Sequence, residues 1–269
     1  MENCNLCNSI DTVEISVLLE KPALETDYKI PTSEYYRKIM HCNSCDVYFN
    51  SYKQGLISDD FYEGFYNSSI DSGIMEERFN RIISLGFDQS DNKQRVRRIY
   101  DFVQSYGRNI ERLLDVGTGT GVFVFEASKY FKSVYCVDPD KKSIEFVNKR
   151  INVQESWVGT LNTIPDSYKF DLITYNKVLE HVKNPIELLA QTGKYLEEEG
   201  IIYVELPFAE ELIKENKQKE RAEFFIEHYT TFTYESFEYL AENSGFKILL
   251  MVDLIEPSGK HSIYAFLQK

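Results

Sequence analysis

The sequence predicts an α/β fold: a doubly wound seven-stranded sheet with a final antiparallel strand, preceded by a small cysteine-rich module. Three observations predict it. An apolar run at 112–116 leads straight into Gly117, Gly119 and Gly121, and further apolar runs at 133–138, 153–158, 170–174 and 200–205 alternate with helical patterns, as in parallel strands crossed by helices. Two last runs, 247–254 and 261–267, flank Pro257, Ser258 and Gly259 as an antiparallel pair. Near the amino terminus, four of the five cysteines form two C-x-x-C pairs.

At 269 residues, the chain suffices for one large domain with a smaller partner. The divisions expected are a metal-binding module over 1–55, an aromatic and helical connector or lid over 56–108, and a catalytic domain over 109–269 with an insertion at 208–232. With 43% apolar residues, 19 tyrosines and 18 phenylalanines, a full core is available. No apolar run approaches the length of a membrane span, and no basic segment followed by an apolar one opens the chain, so a cytoplasmic protein is expected. A net charge of −13 argues against binding nucleic-acid backbones, and the basic stretch KQRVRR (93–98) reads as the polar face of a helix.

Thirty-four residues separate the Cys4–Cys7 pair from the Cys42–Cys45 pair, and each pair presents two sulfurs to one side of a tight turn. Together they supply four thiolates for a closed tetrahedral zinc site of structural type. A redox pair would need a strand-to-helix setting that neither pair has. His41 adjoins Cys42 but has no place in a filled tetrahedron, and Cys136 falls inside a strand as a core residue. Short strands are expected at 13–20 and 47–50, giving a zinc ribbon that depends on its metal to fold.

The segment ERLLDVGTGTG (111–121) reads as a buried strand, a glycine turn and the start of a helix. The glycines with Asp115 and the threonines are also compatible with a plain tight turn. Asp138, 21 residues after Gly117, ends the next strand, where doubly wound nucleotide sites place the carboxylate that holds a ribose diol. The dinucleotide fingerprint wants glycines at positions one, three and six; here they stand at one, three and five.

With that departure, and with LLDVGTGTG beside it, the chain resembles the Rossmann-like S-adenosylmethionine-dependent methyltransferases. A second match is FDLI followed by VLEHV at 178–182. The resemblance implies that Gly117, Thr118, Gly119 and Gly121 pass around the methionine part of S-adenosyl-L-methionine and that Asp138 holds the ribose hydroxyls. It also implies that Pro139, Gly159, Thr160 and Leu161 line the adenine end, while Asp115 and Asn176 belong to the same cofactor site. Leu161 reads equally well as packing. His181 either orders its loop or faces the substrate or sulfonium.

The cysteine pairs, the aromatic segment FYEGFYN (61–67) and EHYTTF (227–232) resemble a subset of that family that methylates sugars. There Tyr66 would approach the cofactor carboxylate or the substrate, with Tyr62 at the matching spacing; ring packing between modules is the plainer reading. His228 is the leading base, since histidine accepts a proton near neutral pH, and Glu227 would orient it or bind a substrate hydroxyl. A structural, hydrogen-bonded His228 is the alternative.

The function expected is methyl transfer to a sugar hydroxyl on a nucleotide-sugar, phosphosugar or glycan precursor. Carbon methylation of a keto-sugar, nitrogen methylation of a small amine, and a non-enzymatic cofactor-binding regulator are the rivals. Helices are expected at 75–87, 94–106, 141–150, 186–196, 210–223 and 234–243. The charged helix at 210–223 lies in the insertion, which suits substrate contacts or the subunit contact of a homodimer.

Overall fold

The computed structural model describes residues 2–25, 30–52 and 72–269. The aromatic segment, with Tyr62 and Tyr66, lies outside the described residues.

The main sheet has seven strands. In chain order they are β4 (Arg112–Val116), β5 (Ser133–Asp138), β6 (Glu155–Val158), β7 (Phe170–Asn176), β8 (Leu196–Pro207), β10 (Lys247–Ile255) and β11 (His261–Gln268). Their spatial order is β10-β11-β8-β7-β4-β5-β6. The chain runs outward from β4 through β5 to β6, then returns to the other side of β4 as β7 and β8, all parallel. The order therefore reverses between β4 and β7, and ligand crevices of open α/β sheets open beyond the carboxyl ends of the strands at such a point. β11 lies antiparallel against β8, with β10 antiparallel outside it.

Leu113, Leu114, Leu172 and Ile173 have no exposed surface, as expected of parallel strands covered on both faces. Helices α1 (Ser72–Ile83), α2 (Asp91–Ser105), α3 (Val122–Ala127) and α4 (Lys141–Arg150) precede α5 (Pro185–Thr192), α6 (Glu210–Lys214) and α7 (Tyr234–Asn243). Asp140 caps α4 by accepting from the Lys142 and Ser143 N–H groups, and Thr233 with Ser236 forms a reciprocal capping box on α7. Among the described residues, no helix is long and apolar enough to cross a membrane.

Several expected boundaries differ; the helix read over 94–106, for one, spans Asp91–Ser105. The helix read over 210–223 ends at Lys214, because Asn216 turns left-handed at φ 55° and the N–H groups of Asn216 and Lys217 reach back to the Ile213 and Leu212 carbonyls. That pairing is a Schellman stop, and asparagine is the residue after glycine that best tolerates it. The helix read over 186–196 stops at Thr192, since Leu196 already pairs with Phe170 as the first residue of β8. The helix read over 75–87 spans Ser72–Ile83.

The cysteine-rich module is β1 (Thr12–Leu18), β2 (Arg37–Cys42) and β3 (Tyr48–Tyr52), joined antiparallel. A fourth strand, β9 (Thr230–Thr231), comes from the insertion and pairs with β3 through Thr231↔Tyr48 and Thr230↔Phe49. Cys42, Phe49 and Val47 share one buried cluster with Leu114, Tyr175 and Phe232. The module is thus continuous with one face of the main core.

Candidate functional site

The turn after β4 is built by backbone geometry. Gly117 has φ +73°, and a Cβ there would stand 2.6 Å from Val178 Cγ2. Gly121, at φ +74°, would meet Val147 at 2.7 Å and Ile151 at 2.8 Å. A side chain at either position is excluded by both conformation and space. At Gly119 nothing stands within 4 Å of a built Cβ, so the middle of the turn faces open space.

Two carboxylates flank the turn. Asp138, at the end of β5, accepts the Gly119 and Asp140 N–H groups, each at 2.8 Å. Burial raises its pKa against these donors. Asp115 accepts from Thr174 Oγ1 and Asn176 Nδ2, both at 2.7 Å. Burial pushes its carboxyl up to about 7. The same contact joins β4 to β7 across the switch point. Asn176 Oδ1 is buried and has no hydrogen-bond partner among the described residues, so an acceptor is left over at this edge. Pro139 and Thr160 are exposed, and the Gly159 N–H bonds the Asp138 carbonyl at 2.9 Å. Leu161 has no exposed surface and packs in the core beneath them. Open space at Gly119, a carboxylate at Asp138 and an unpaired acceptor at Asn176 suit a ligand bearing hydroxyls and an ammonium group.

Beyond the end of β7 come Glu180 and His181, on the single turn Leu179–His181. The Tyr229 N–H holds this turn by bonding the Glu180 carbonyl at 2.7 Å. His181 Nδ1 lies 2.9 Å from the Glu227 carbonyl, and His228 Nδ1 lies 2.8 Å from the Glu223 carbonyl. A carbonyl only accepts, so each ring donates its Nδ1–H, and in the neutral form that burial favours the lone pair sits on Nε2. The two rings meet edge to face, 4.7 Å between centroids. Burial lowers the pKa of both; for His228 it is lowered well below the usual range, with His181 beside it adding to the effect. Burial also pushes Glu180, which has no exposed surface, up to about 7. The Glu227 contact to His181 runs through its main chain. His181, Glu227 and His228 are thereby assembled in one place.

The four paired cysteines also converge. Cys4 and Cys45 sulfurs lie 3.6 Å apart, Cys7 and Cys42 sulfurs 3.5 Å, and all four lie within 4.8 Å of one another. A tetrahedral ion with bonds of about 2.3 Å spaces its sulfurs about 3.8 Å apart, so the group fits a bound metal. The hydrogen bond from Cys45 lowers the Cys4 thiol to about 5 against burial, helped by the Cys7 and Leu6 N–H groups. The His41 ring bonds Asp46 at 2.7 Å, outside the sulfur cluster.

Residues that sequence reasoning left unassigned hold this site together. Asn50 donates its amide to the Phe225 and His228 carbonyls at 3.0 and 2.7 Å. Arg37 has no exposed surface, pairs with Glu25 at 3.1 Å and donates to the Phe224 carbonyl. Glu25 in turn accepts the Ile226 N–H at 2.7 Å. Lys177 stands left-handed at φ 61° after Asn176, and its amine reaches the Leu206 carbonyl at 3.0 Å and Ser262 Oγ at 2.5 Å. Behind it, Arg95 and Arg98 of α2 hold the fully buried Glu205, and Arg95 also binds Glu256 at 2.9 Å. Those guanidinium groups hold Glu205 well below the usual carboxylate range despite its burial. A buried arginine inside a polar-looking strand carries no local signal.

A family model described as "Methyltransferase domain" matches residues 88–250. Among curated proteins, the chain is 27% identical over 108 residues to the probable ribosomal RNA small subunit methyltransferase A of Thermococcus sibiricus, covering 39% of this chain and 38% of that protein. It is 29% identical over 97 residues to the ubiquinone biosynthesis O-methyltransferase of Pelagibacter ubique, covering 35% and 40%. The chain thus matches well under half the length of these relatives. Among solved structures, the magnesium protoporphyrin IX methyltransferase of Synechocystis with bound SAH superposes with TM-score 0.58 at 14% identity, over 79% of this chain and 100% of that one. The plantazolicin methyltransferase BpumL in complex with SAH gives TM-score 0.57 at 16% identity, over 77% and 93%. Streptomyces venezuelae DesVI gives 0.53 at 15%, over 73% and 98%. At these identities the structural likeness speaks for the fold.

Proposed function

The chain belongs to the methyltransferase-domain family, and from that premise we propose that it transfers a methyl group from S-adenosylmethionine to a sugar hydroxyl. The sugar would be carried on a nucleotide-sugar, phosphosugar or glycan precursor. The observation that carries the reading is the neutral histidine pair, His181 and His228, standing just beyond the β7 edge that carries the cradle.

In this reading the loop from Gly117 to Gly121 passes the methionine part, with Thr118 inside it, and Asp138 exchanges its backbone donors for the ribose hydroxyls. Pro139, Gly159 and Thr160 form the adenine end, with Leu161 as packing beneath them. Asn176 offers its unpaired oxygen to the ammonium group, and Asp115 holds Asn176 in place. Tyr66 belongs to the proposal as a residue near the donor carboxylate or the acceptor. S-Adenosylmethionine supplies an activated methyl group. The chain's own part is to hold the acceptor oxygen in line and to exclude water, the chief source of rate in such a transfer.

A hydroxyl is a weak nucleophile until its proton leaves. The Glu223 carbonyl fixes the His228 tautomer, so Nε2 is the atom that accepts that proton. His181, oriented by Glu227, shapes the same corner. An amine acceptor needs less of this basic help, which favours oxygen over nitrogen. The net charge of −13 disfavours a nucleic-acid acceptor. The four-cysteine cluster is proposed to hold structural zinc.

The test is incubation with S-adenosylmethionine and a panel of nucleotide sugars, following S-adenosylhomocysteine release and the mass gain of the acceptor. Methylated sugar with the new group on oxygen supports the reading, and a group on carbon moves it to the keto-sugar alternative. Calorimetry that finds NAD binding and no S-adenosylmethionine binding overturns it altogether.

A further inference from the structure

Glu180 lies against the two histidines with its carboxylate wholly inside the protein. Neither of its side-chain oxygens has a hydrogen-bond partner among the described residues. A buried carboxylate without a partner costs several kcal/mol in stability, so one that persists calls for an explanation. Lys177, three positions before it, spends its amine on Leu206, Ser262, Glu256 and Glu205 instead.

One donor atom from each of Glu180, His181 and His228 lies within 4.8 Å of the other two. Both histidines donate Nδ1–H to main-chain carbonyls, so each lone pair sits on Nε2. Carbonyl-bonded imidazoles of this kind are the usual form of histidine metal ligands, because the second bond sets the tautomer and aims the ring. The Tyr229 N–H, bonded to the Glu180 carbonyl, ties the two ligand-bearing segments together.

We propose that Glu180, His181 and His228 bind a divalent transition-metal cation that takes the acceptor hydroxyl as a further ligand. Two imidazoles and one carboxylate leave coordination positions open, the arrangement of reactive rather than structural metal sites. Drawing the three donors onto one ion requires them to close, by side-chain rotation, from separations of up to 4.8 Å. The site is separate from the four-sulfur cluster, whose soft donors select a different ion.

The inference rests on reading this corner as the acceptor site and changes what removes the proton. Bound to the cation, the hydroxyl loses its proton to water, since a metal-bound oxygen is far more acidic than a free one. The alkoxide oxygen attacks the methyl carbon and a carbon–oxygen bond forms. The carbon–sulfur bond breaks with its electron pair on sulfur, which becomes a neutral thioether. The cation is unchanged, and His228 serves as ligand in place of base.

Manganese(II) alone is the probe, followed by the loss of the free-ion electron paramagnetic resonance signal; thiolates compete poorly for it. One ion per chain is expected. Glu180→Gln and, separately, His228→Gln should weaken it by about 10-fold or more, with folding checked by circular dichroism and S-adenosylmethionine binding. No binding, or equal binding by wild type and both variants, overturns the proposal. Binding without methylation of any acceptor leaves the metal site standing and sinks the transfer reading instead. Methylation at one rate with and without manganese returns the proton to His228 and overturns the cation's role.

Discussion

Asn50 donates its side-chain amide to the main-chain carbonyl of His228 at 2.7 Å, across 178 positions of sequence. The same amide reaches the Phe224 and Phe225 carbonyls, and the Tyr52 hydroxyl reaches the Ile226 carbonyl at 2.6 Å. The segment that carries His228 is therefore suspended from the cysteine-rich sheet, although it belongs by sequence to the main domain.

Replacing Asn50 with alanine strips several buried carbonyls of their donor and should destabilise the protein by about 1–3 kcal/mol. Because the Asn50 side chain bonds Arg37 and the 224–228 segment and not the glycine turn, S-adenosylmethionine affinity should hold while kcat falls. Thermal unfolding together with calorimetry and turnover measures the split, and a parallel loss of cofactor affinity would show a wider disturbance.

Removing the metal from the sulfur cluster should act on the same segment. A Cys42→Ser chain should lose the proposed zinc and melt at a lower temperature, with turnover lost as the His228 anchor loosens. Metal analysis beside scanning calorimetry checks this. An unchanged melting temperature in metal-free protein would show that packing alone holds the strands.

Two glycines of the turn should respond in different quantities. Gly121→Ala drives a Cβ to 2.7 Å from Val147 at a left-handed φ, so about 1–3 kcal/mol of stability should be lost. Gly119→Ala meets nothing within 4 Å, so its cost should be nearer 1 kcal/mol and its main effect a weaker cofactor affinity. Denaturant unfolding and S-adenosylmethionine titration of both variants separate the two effects.

Asp115 makes stability depend on pH in a defined direction. Its folded carboxyl titrates at about 7, above the ordinary value of 3.8, so the folded state binds the extra proton between those limits. Its contribution is fully present below about pH 4 and is lost as pH rises through about 7. Asp115→Asn keeps an acceptor for Thr174 and Asn176 and removes the titration, so the variant should gain on wild type by a few kcal/mol across that window. Unfolding free energies at pH 4 and 8 check it, and parallel curves for the two proteins would refute it.

Much of the fold was legible because its signals are local. Leu113, Leu114 and Val116 are buried in the sheet, so 112–116 had to read as a mostly apolar stretch despite Asp115, and the following turn accepts only glycine at 117 and 121. The segment 210–223 was misread because charge and periodicity alone favour a helix, while one left-handed asparagine ends it. Arg37 and Glu180 look like surface residues in sequence and are fully buried, since their environment is made by segments far along the chain.

By itself, the sequence determined the glycine turn and the pairing of the cysteines, because turn geometry and C-x-x-C spacing are properties of a few consecutive residues. Only the tertiary structure decided that His181 meets Glu227 and His228, that Glu180 lies bare beside them, and that the cysteine module carries their support. Such contacts span 46 to 178 positions. They form when β9 pairs with β3 and Tyr229 binds the turn after β7, and nothing in either segment alone encodes that meeting.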